Sequence, residues 1–426
     1  MIKQLYDRYK ECNGISTDSR NINKDVLFFA LKGPNFNANK FASKALESGA
    51  KYVVVDEEEF KADDRYILVD DCLIALQKLA NFHRRQFTIP FIGITGSNGK
   101  TTTKELMREV LSQKYNVHAT MGNLNNHIGV PLTLLAMDDS VEIAIIEMGA
   151  NKLGDITELC EIAEPTHGVI TNIGKAHVGN FGGFENIIRA KSELYLHLIK
   201  NNGQVWINSN QKILMNMSKR FKTPLFYPNK GDYFEANFIE STPYVLFESE
   251  NKQTVQSQLV GAYNFENIAT ALCIGKYFEI DDVKANNAIQ NYVPSNNRSQ
   301  VIKHETNTII MDAYNANPSS MEVAIDNLGK MKAEKKVAVL GDMYELGEES
   351  EAEHRKLGEI VAAQNFDDVF FCGKLIKKSL ETCSTAIYFE DKDDLNKELK
   401  KKNYKNTLIL LKASRGIGLE TVLDSI

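Results

Sequence analysis

Short apolar runs alternate with amphipathic stretches along most of the chain, a pattern typical of α/β proteins. Near the amino terminus "DVLFFAL", "AKYVVV" and "RYILV" predict strands, and "NKFASKALESG" predicts a helix closed by a glycine. The next helix, "LIALQKLANFHRRQF", runs toward Pro90, and the residue before a proline disfavours helix. We therefore predict a small α/β domain over residues 1–87, here called the amino-terminal segment.

Two further α/β domains are predicted beyond this boundary. In residues 88–295, the central segment, the strands "EIAIIEMGA", "HGVITNIG" and "GQVWINSN" alternate with the helices "NIIRAKSELYLHLI" and "NFENIATALCIGKYF". Such alternation predicts a mostly parallel sheet with helices on both faces. In residues 296–426, the carboxy-terminal segment, the strands "NTIIMDA", "KKVAVLGD", "DVFFCG", "AIYFE" and "TLILLKAS" predict a Rossmann-like domain. The stretch "FYPNKGDYFEANFIESTPYVLFESE" reads as a β-rich insertion of unassigned role.

Composition and charge narrow the class of protein. The 426 residues are 43% hydrophobic and 25% charged, with a net charge of −6, which fits a globular protein and lacks the basic footprint of a nucleic-acid-binding protein. No apolar stretch is long enough to predict a membrane span, and the first residues contain no signal-like apolar region, so we expect a cytoplasmic protein. Six scattered cysteines without CxxC spacing predict reduced, mostly buried thiols.

The loop in "IPFIGITGSNGKTTTKELMREVL" carries the strongest chemical signal. It joins a predicted strand to a predicted helix, and the free N–H groups of a helix start favour phosphate. Gly96 and Gly99 let the backbone approach an anion, Lys100 can reach terminal phosphates from an exposed loop, and the Thr101 hydroxyl can bind phosphate-bound Mg²⁺. The spacing GxxGKT is shorter than the usual P-loop, and an ordinary glycine-containing turn is the alternative.

Other candidate residues follow predicted strands. Glu147 ends an apolar strand and offers Mg²⁺ a carboxylate, although strand-end glutamates also simply face solvent. His177 follows the next strand in a glycine-rich stretch, where a ligand role and a structural role are equally open. Asp312 ends a strand of the carboxy-terminal segment and marks a second ligand-facing edge.

Three further polar residues lie on predicted helices. Asn264 and Asn267, three residues apart, share one helix face, where their amides could read an adenine edge or cap the helix. Lys191 lies on an amphipathic helix, and periodicity alone favours an ordinary solvated lysine.

The order and spacing of these motifs resemble the Mur ligase family over almost the whole chain. The resemblance rests on "STDSR", "GITGSNGKTTTKELM", "TMGNLNNHIGVPLTLL", "EMGAN", "ITNIGKAHVGNFGG", "AKSEL", "GAYNFENIATAL", "NNRSQ", "DAYNANPSSM", "LGDMYELG" and "LKASRG". In this family the contracted GxxGKT loop is normal. "DAYNANPSSM" is most similar to the members that add D-alanyl-D-alanine, and "LKASRG" departs from the KGSR form common in relatives.

The resemblance implies a role for individual residues. The implied ATP-binding residues are Gly96, Ser97, Asn98, Gly99, Lys100, Thr101, Thr102, Asn264, Asn267, Arg298 and Asp312. The implied metal-binding residues are Thr101, Glu147, His177 and Lys191, with Lys191 carried as a carbamate (N6-carboxylysine). Lys100, Lys191 and His177 are the implied catalytic residues. The implied substrate-binding residues are Ser19, Arg20, Asn126, Asn315 and Arg415, of which Ser19 and Arg20 receive the uridine moiety.

The resemblance also implies an activity. It predicts a monomeric, ATP- and Mg²⁺-dependent amide ligase that joins D-alanyl-D-alanine to UDP-N-acetylmuramoyl-tripeptide through an acyl phosphate, in cytoplasmic peptidoglycan precursor synthesis. Residues 1–87 would bind the UDP-muropeptide, residues 88–295 ATP, and residues 296–426 would complete the ligase site. A folylpolyglutamate synthetase-like ligase and a nucleotide-binding switch without ligase activity are the alternatives. The third amino acid of the stem, lysine or diaminopimelate, stays open.

Overall fold

A computed structural model describes residues 1–175, 178–295 and 297–426. The amino-terminal segment contains helices α1 (Ile2–Lys10), α2 (Ala42–Glu47) and α3 (Cys72–Arg84) and strands β1 (Ile15–Ser16), β2 (Leu27–Phe29), β3 (Lys32–Gly33), β4 (Phe36–Asn37), β5 (Tyr52–Val55) and β6 (Tyr66–Leu68). Strands β1, β2, β5 and β6 form a parallel sheet in the order β1-β2-β5-β6, and β3 pairs with β4 in a separate ribbon.

The central segment is built around a six-stranded parallel sheet. Its helices are α4 (Lys100–Leu111), α5 (Gly129–Leu135), α6 (Asp155–Ala163), α7 (Val178–Phe181), α8 (Phe184–Lys200), α9 (Lys212–Ser218), α10 (Asn264–Tyr277) and α11 (Asp282–Asn291). Its strands are β7 (Phe91–Thr95), β8 (Val117–Ala119), β9 (Ile143–Glu147), β10 (His167–Ile170), β11 (Gln204–Asn208), β12 (Leu225–Tyr227), β13 (Asn237–Ser241), β14 (Tyr244–Glu248) and β15 (Thr254–Val260). The sheet order is β12-β11-β10-β7-β9-β8.

This order decides where ligand-facing loops meet. Strand β7, which precedes the glycine-rich loop, lies between β10 and β9, with Ile94 opposite Glu147 in the register. All neighbouring strands are parallel, so their carboxyl ends share one edge of the sheet. The insertion adds β12 to the edge of this sheet, and β13–β15 form a separate antiparallel sheet.

The carboxy-terminal segment has helices α12 (Pro318–Lys330), α13 (Ser350–Ala362) and α14 (Lys392–Lys402) and strands β16 (Gln300–His304), β17 (Asn307–Asp312), β18 (Lys335–Gly341), β19 (Asp368–Cys372), β20 (Ile387–Phe389) and β21 (Thr407–Lys412). Its sheet order is β16-β17-β21-β18-β19-β20, parallel except for the β16–β17 pair. Short 3₁₀ helices lie at Ala38–Phe41, Glu58–Phe60, Gly347–Glu349, Ile376–Glu381, Arg415–Ile417 and Leu419–Ser425. The predicted fold class is confirmed: a three-domain α/β fold with mostly parallel main sheets.

The amino-terminal and central segments share one hydrophobic core. A continuous cluster of buried apolar side chains runs from the first sheet through α3 to α5, α6 and β9. At this junction the Arg84 guanidinium lies 3.6 Å from the centre of the Phe91 ring and donates to the carbonyl oxygens of Ala163 and Glu164. Burial lowers the pKa of Arg84 to about 10. Division at residues 87/88 and 295/296 into independent domains stays a prediction.

The carboxy-terminal segment contacts the central one through both apolar and polar groups, and Val260 of β15 belongs to the carboxy-terminal apolar cluster. Asn317 Nδ2 donates to Asn98 Oδ1 at 2.8 Å, so a side chain of the glycine-rich loop bonds directly to the residue that caps α12. Lys175 Nζ lies 2.9 Å from Glu353 Oε1. Gly179 packs so closely that a Cβ there would lie 2.5 Å from the backbone nitrogen of Gly347. Within the described ranges, no helix is long and apolar enough to cross a membrane.

Candidate active site

A cavity of about 1270 Å³ opens where the carboxyl ends of the central and carboxy-terminal sheets face each other. Most of the site residues predicted from the sequence line it: Gly96, Ser97, Asn98, Gly99, Lys100, Thr101, Thr102, Asn126, Glu147, Lys191, Asn264, Asn267, Arg298, Asp312 and Asn315. Ser19, Arg20 and Arg415 are not among the lining residues. His177 lies outside the described residues, so its predicted role is untested.

The glycine-rich loop has the backbone shape that its sequence requires. Gly96 has φ +144°, and a Cβ there would collide with Thr171 Oγ1. Gly99 has φ +80° at the N-cap of α4, and a Cβ there would lie 2.5 Å from Asn267 Oδ1. Positive φ and close neighbours both favour glycine, and the loop delivers the first-turn N–H groups of α4 to the cavity. These groups and the helix dipole form an anion site.

The expectation that Lys100 stands in an exposed loop is wrong. Its ammonium folds back over the loop and donates to the carbonyl oxygens of Gly96 at 2.7 Å and Ser97 at 3.2 Å. Burial lowers the pKa of Lys100, and the nearby Arg298 guanidinium lowers it further while Glu147 opposes the shift. The strand-to-helix turn is tight enough to keep the side chain against its own backbone, beside the anion site.

Glu147 lies at the end of β9 with a side chain only 1% exposed. Its Oε1 accepts from Asn125 Nδ2 at 2.7 Å and from Thr101 Oγ1 at 3.2 Å. Its Oε2 is buried without a hydrogen-bond partner in the described part of the chain. A buried carboxylate oxygen without a hydrogen bond can still accept a cation, so this carboxylate fits a ligand of a metal ion that arrives with substrate.

The residues present fit Mg²⁺ rather than a metal held wholly by protein. No group of three His, Cys, Asp or Glu side chains with metal-binding geometry occurs among residues 1–175, 178–295 and 297–426. Mg²⁺ commonly uses one or two carboxylates together with phosphate oxygens and water, and the Glu147 carboxylate and the Thr101 hydroxyl supply that kind of set.

Lys191 is not the solvated lysine that helical periodicity favours. Lys191 lies on the side of α8 that faces the cavity and is 3% exposed. Its Nζ lies 5.6 Å from the centre of the Phe181 ring. Burial lowers its pKa to about 7, and the Lys100 ammonium contributes in the same direction. Removal from water penalises a charged amine, so much of Lys191 is a neutral amine near neutral pH.

The two amides of α10 lie beside the glycine-rich loop. Asn267 Nδ2 donates to Asn264 Oδ1 at 2.8 Å, and Asn267 Oδ1 accepts from Thr103 Oγ1 at 3.0 Å. Asn264 Nδ2 donates to the carbonyl oxygen of Val260 at 2.8 Å. The bond from Thr103 ties α10 to α4, and the other two hold the amides within α10 and against the end of β15. Both amides also line the cavity. Both the packing role and the adenine role therefore stay open.

The carboxy-terminal sheet contributes a second charged edge. Asp312, at the end of β17, accepts from Lys412 Nζ at 2.5 Å through Oδ2 and from the Ser299 backbone N–H at 3.3 Å through Oδ1. Lys412 is 1% exposed, so this carboxylate is paired with a buried cation. Arg298 stacks on Tyr314, with its guanidinium carbon 3.7 Å from the ring centre. A fixed cation thus faces the loop across the cavity.

The predicted substrate-binding residues divide into two groups. Asn126 lines the cavity, and its side chain accepts from the backbone N–H groups of Ile128 and Gly129 at the start of α5. Arg20 is exposed and pairs with Asp18 at 2.8 Å beside Ser19, away from the cavity lining. The guanidinium carbon of Arg415, also exposed, lies 5.5 Å from the Tyr314 ring centre. Substrate contacts for these residues stay predictions.

Sequence reasoning missed several residues of the site. Asn125 holds Glu147, Asn172 Oδ1 accepts from the Asn98 backbone N–H, and Asn317 bonds to Asn98. Each of these asparagines lies in a loop that follows a strand, within a motif that resembles the family. Their position after a strand is the feature that could have marked them as site residues. Lys104, fully buried on α4, gave no signal, because a lysine four residues after Lys100 reads as a helix-face charge.

Comparisons with known proteins match this geometry. Family models match residues 11–84 (Mur ligase family, catalytic domain), 94–275 (Mur ligase middle domain) and 297–415 (Mur ligase, glutamate ligase domain). The UDP-N-acetylmuramoyl-tripeptide–D-alanyl-D-alanine ligase of Bacillus subtilis is 35% identical, over 97% of this chain and 93% of its own.

Solved structures agree with these sequence matches. MurF of Acinetobacter baumannii superposes with a TM-score of 0.88 at 28% identity, over 100% of this chain and 98% of its own. MurF of Thermotoga maritima, solved in complex with ADP, gives a TM-score of 0.85 at 29% identity, over 97% of this chain and 96% of its own. The chain belongs to the Mur ligase family.

Proposed function

We propose that this protein is an ATP-dependent amide ligase that joins D-alanyl-D-alanine to UDP-N-acetylmuramoyl-tripeptide. One observation carries the proposal: a single cavity brings the GxxGKT loop and Glu147 of the central sheet opposite Arg298 and Asp312 of the carboxy-terminal sheet. Ligation of two substrates at the expense of ATP needs such a shared space. The relatives' names supply the substrate identity, and the ADP-bound relative supports the use of ATP.

The reaction proceeds in two balanced steps. An oxygen of the tripeptide's terminal carboxylate attacks the γ-phosphorus of ATP, the bond to the β–γ bridging oxygen breaks, and ADP leaves from an acyl phosphate. The free amine of D-alanyl-D-alanine then attacks the acyl carbon, phosphate leaves with the C–O electron pair, and the amine loses a proton. Charge develops mainly on the transferred phosphoryl group, so the protein acts chiefly by positioning and electrostatics.

Residues of the glycine-rich loop provide most of this electrostatic stabilisation. The first-turn N–H groups of α4 and the Lys100 ammonium hold the phosphate oxygens, and Arg298 faces them from the other sheet. Thr101, Glu147 and, through its carbamate, Lys191 would hold Mg²⁺, together with His177 if the family pattern applies. When bound, the metal neutralises charge on the phosphate oxygens.

The three segments have separate tasks in this proposal. Residues 1–87 receive the UDP-muropeptide through Ser19 and Arg20, residues 88–295 bind ATP, and residues 296–426 complete the site with Asn315 and Arg415. A site shared between sheets favours closure around the substrates, which keeps water from the acyl phosphate. We propose that the protein acts in the cytoplasm as a monomer.

Lys191 is proposed to carry a carbamate. The nitrogen of the neutral amine attacks CO₂, an N–C bond forms, one C–O electron pair moves onto oxygen, and a proton leaves the nitrogen to a base in solution. Because burial brings the pKa of Lys191 to about 7, the neutral amine that this step needs is abundant at ordinary pH. The product is an anion that can share Mg²⁺ with Glu147.

Matched substitutions test the carbamate. Lys191→Arg keeps a positive charge but cannot form a stable carbamate, so we expect it to lose activity as fully as Lys191→Ala. An ammonium acting by its charge would instead leave Lys191→Arg the more active variant. Lys200→Arg, at an exposed position of the same helix, is the control and should remain active. Mass analysis under native conditions checks for the 44 Da that CO₂ adds.

A phosphate-release assay tests the activity and its alternatives. We expect release to require ATP, Mg²⁺, D-alanyl-D-alanine and a UDP-muramoyl-tripeptide, and parallel reactions with lysine and diaminopimelate tripeptides decide the third amino acid. Release that depends on a folate and glutamate would instead indicate the folylpolyglutamate-type ligase. Tight ATP binding without substrate-dependent release would indicate a nucleotide-binding switch. Either result would contradict the proposal.

A further inference from the structure

A buried lysine lies behind the candidate metal ligand. Lys104, on α4, has no exposed side-chain surface, and it is not among the residues that line the cavity. Its Nζ lies 3.8 Å from Glu147 Oε2, the carboxylate oxygen that has no hydrogen-bond partner among the described residues. The ammonium therefore reaches the site only through Glu147.

The rest of the ammonium's surroundings fix it in place. Nζ donates to the carbonyl oxygen of Thr120 at 2.5 Å and lies 3.1 Å from Glu105 Oε1. Thr120 in turn accepts from the Glu147 backbone N–H through its hydroxyl at 2.9 Å. The separation of 3.8 Å from Glu147 Oε2 is too long for a hydrogen bond but short for a Coulomb interaction away from water. Lys104 thus shares its single charge between two carboxylates.

We propose that Lys104 is a positioning residue that compensates the charge of Glu147 and makes cation binding at this carboxylate depend on nucleotide. With the ammonium behind it, Glu147 attracts a bare divalent cation weakly, because the cation meets a nearly neutral pair. Phosphate oxygens of the nucleotide add the missing negative charge, so metal and nucleotide bind together. The inference rests on the proposed function only in taking Glu147 as a metal ligand.

The geometry predicts opposite effects for two substitutions. Lys104→Met keeps an unbranched side chain of similar length but removes the compensating charge, so the nucleotide-free protein should bind a divalent cation more tightly. Glu105→Gln leaves Glu147 as the one carboxylate within 4.0 Å of Lys104 Nζ among the described residues and removes a negative charge, so cation binding should weaken. A purely structural role for Lys104 predicts no such reversal of sign.

The test is Mn²⁺ binding to the nucleotide-free, full-length protein, followed by electron paramagnetic resonance of free Mn²⁺ at pH 8. We expect Lys104→Met to bind Mn²⁺ about tenfold more tightly than the wild type, and Glu105→Gln about threefold more weakly. Glu109→Gln is the matched control, because Glu109 pairs with Arg108 at 2.9 Å just as Glu105 does but is not paired with Lys104. Its Mn²⁺ affinity should be unchanged.

A double variant shows where the additional Mn²⁺ binds. Adding Glu147→Gln to Lys104→Met should abolish the gain in affinity, and a gain that persists would overturn the proposal. Unchanged or weaker binding by folded Lys104→Met would also overturn it. If circular dichroism shows that Lys104→Met does not fold, Glu105→Gln decides: an affinity equal to that of the wild type refutes the inference. Since no substrate is present, these outcomes do not depend on ligase activity.

Discussion

Replacement of Lys191 by methionine should stabilise the protein while removing its activity. Methionine fills similar volume without a charge, whereas the buried amine of Lys191 is costly whenever it is protonated. The pKa is lowered from 10.5 to about 7 in the folded protein, and a lysine in the unfolded chain keeps the higher value. Between these two values the unfolded state binds more protons, so the stability of the wild type rises with pH across this window.

The magnitude follows from this difference. At pH 6.5 most of the free-energy penalty for burying the charged amine is present, about 4–5 kcal/mol, and at pH 9.0 it falls to about 2 kcal/mol. The side chain can relax toward the cavity, so we expect Lys191→Met to gain about 2–4 kcal/mol at pH 6.5. Between pH 6.5 and pH 9.0 this stability advantage of Lys191→Met should shrink by about 2–3 kcal/mol.

The assay is urea unfolding of both proteins in CO₂-free buffer at the two pH values. CO₂ must be excluded because a carbamate would change the charge of the wild-type side chain. Lys200→Met, exposed near the end of the same helix, is the control and should shift stability by about 0.5 kcal/mol or less, equally at both pH values. The reasoning would be refuted if the stability difference between Lys191→Met and the wild type were no larger at pH 6.5 than at pH 9.0.

Three further substitutions test the rest of the site. Lys100→Met should abolish phosphate release. It should change the free energy of unfolding by about 1 kcal/mol or less, because burial already disfavours this ammonium. Substantial turnover would contradict the role of Lys100 at the phosphates. The double replacement of Asn264 and Asn267 by alanine should raise KM for ATP more than KM for D-alanyl-D-alanine, and equal increases would indicate helix packing instead. Lys412→Met should raise KM for ATP about tenfold and lower the free energy of unfolding by about 3 kcal/mol, because it leaves the Asp312 carboxylate without its buried cation. Steady-state kinetics and urea unfolding measure the two effects. Unchanged values would exclude this pairing role.

Local patterns identified the strands that carry the site, but not their neighbours. The runs that became β7, β9 and β17 are apolar and end in polar residues, so Glu147 and Asp312 could be placed at ligand-facing edges from sequence. The short strand β8 and the antiparallel β16 were missed. Both have weak patterns: β8 has three residues, and the residues of β16 are largely half-exposed, so each depends on its partner strand for stability.

Sequence patterns also did not predict which charged side chains are buried. Periodicity favoured a solvated position for Lys191, and no pattern singled out Lys104 or Lys412, yet each of the three is at most 3% exposed in the structure. Periodicity reports which side of a helix or strand a residue occupies, but the exposure of that side depends on what packs against it. The resemblance of "AKSEL" to the family, not its periodicity, singled out Lys191.

The α/β class, the phosphate-binding turn and the strand-end carboxylates could be predicted from sequence, because they depend on residues adjacent along the chain. Which of these elements face one another depends on the fold. The Asn98–Asn317 hydrogen bond joins residues 219 positions apart, and the Lys412–Asp312 pair joins residues 100 apart. Such contacts follow from sheet order and from the packing of the two sheets, which no local pattern encodes. The electrostatic environment of Lys191 depends on the same long-range packing, because it sets how much water each charge retains.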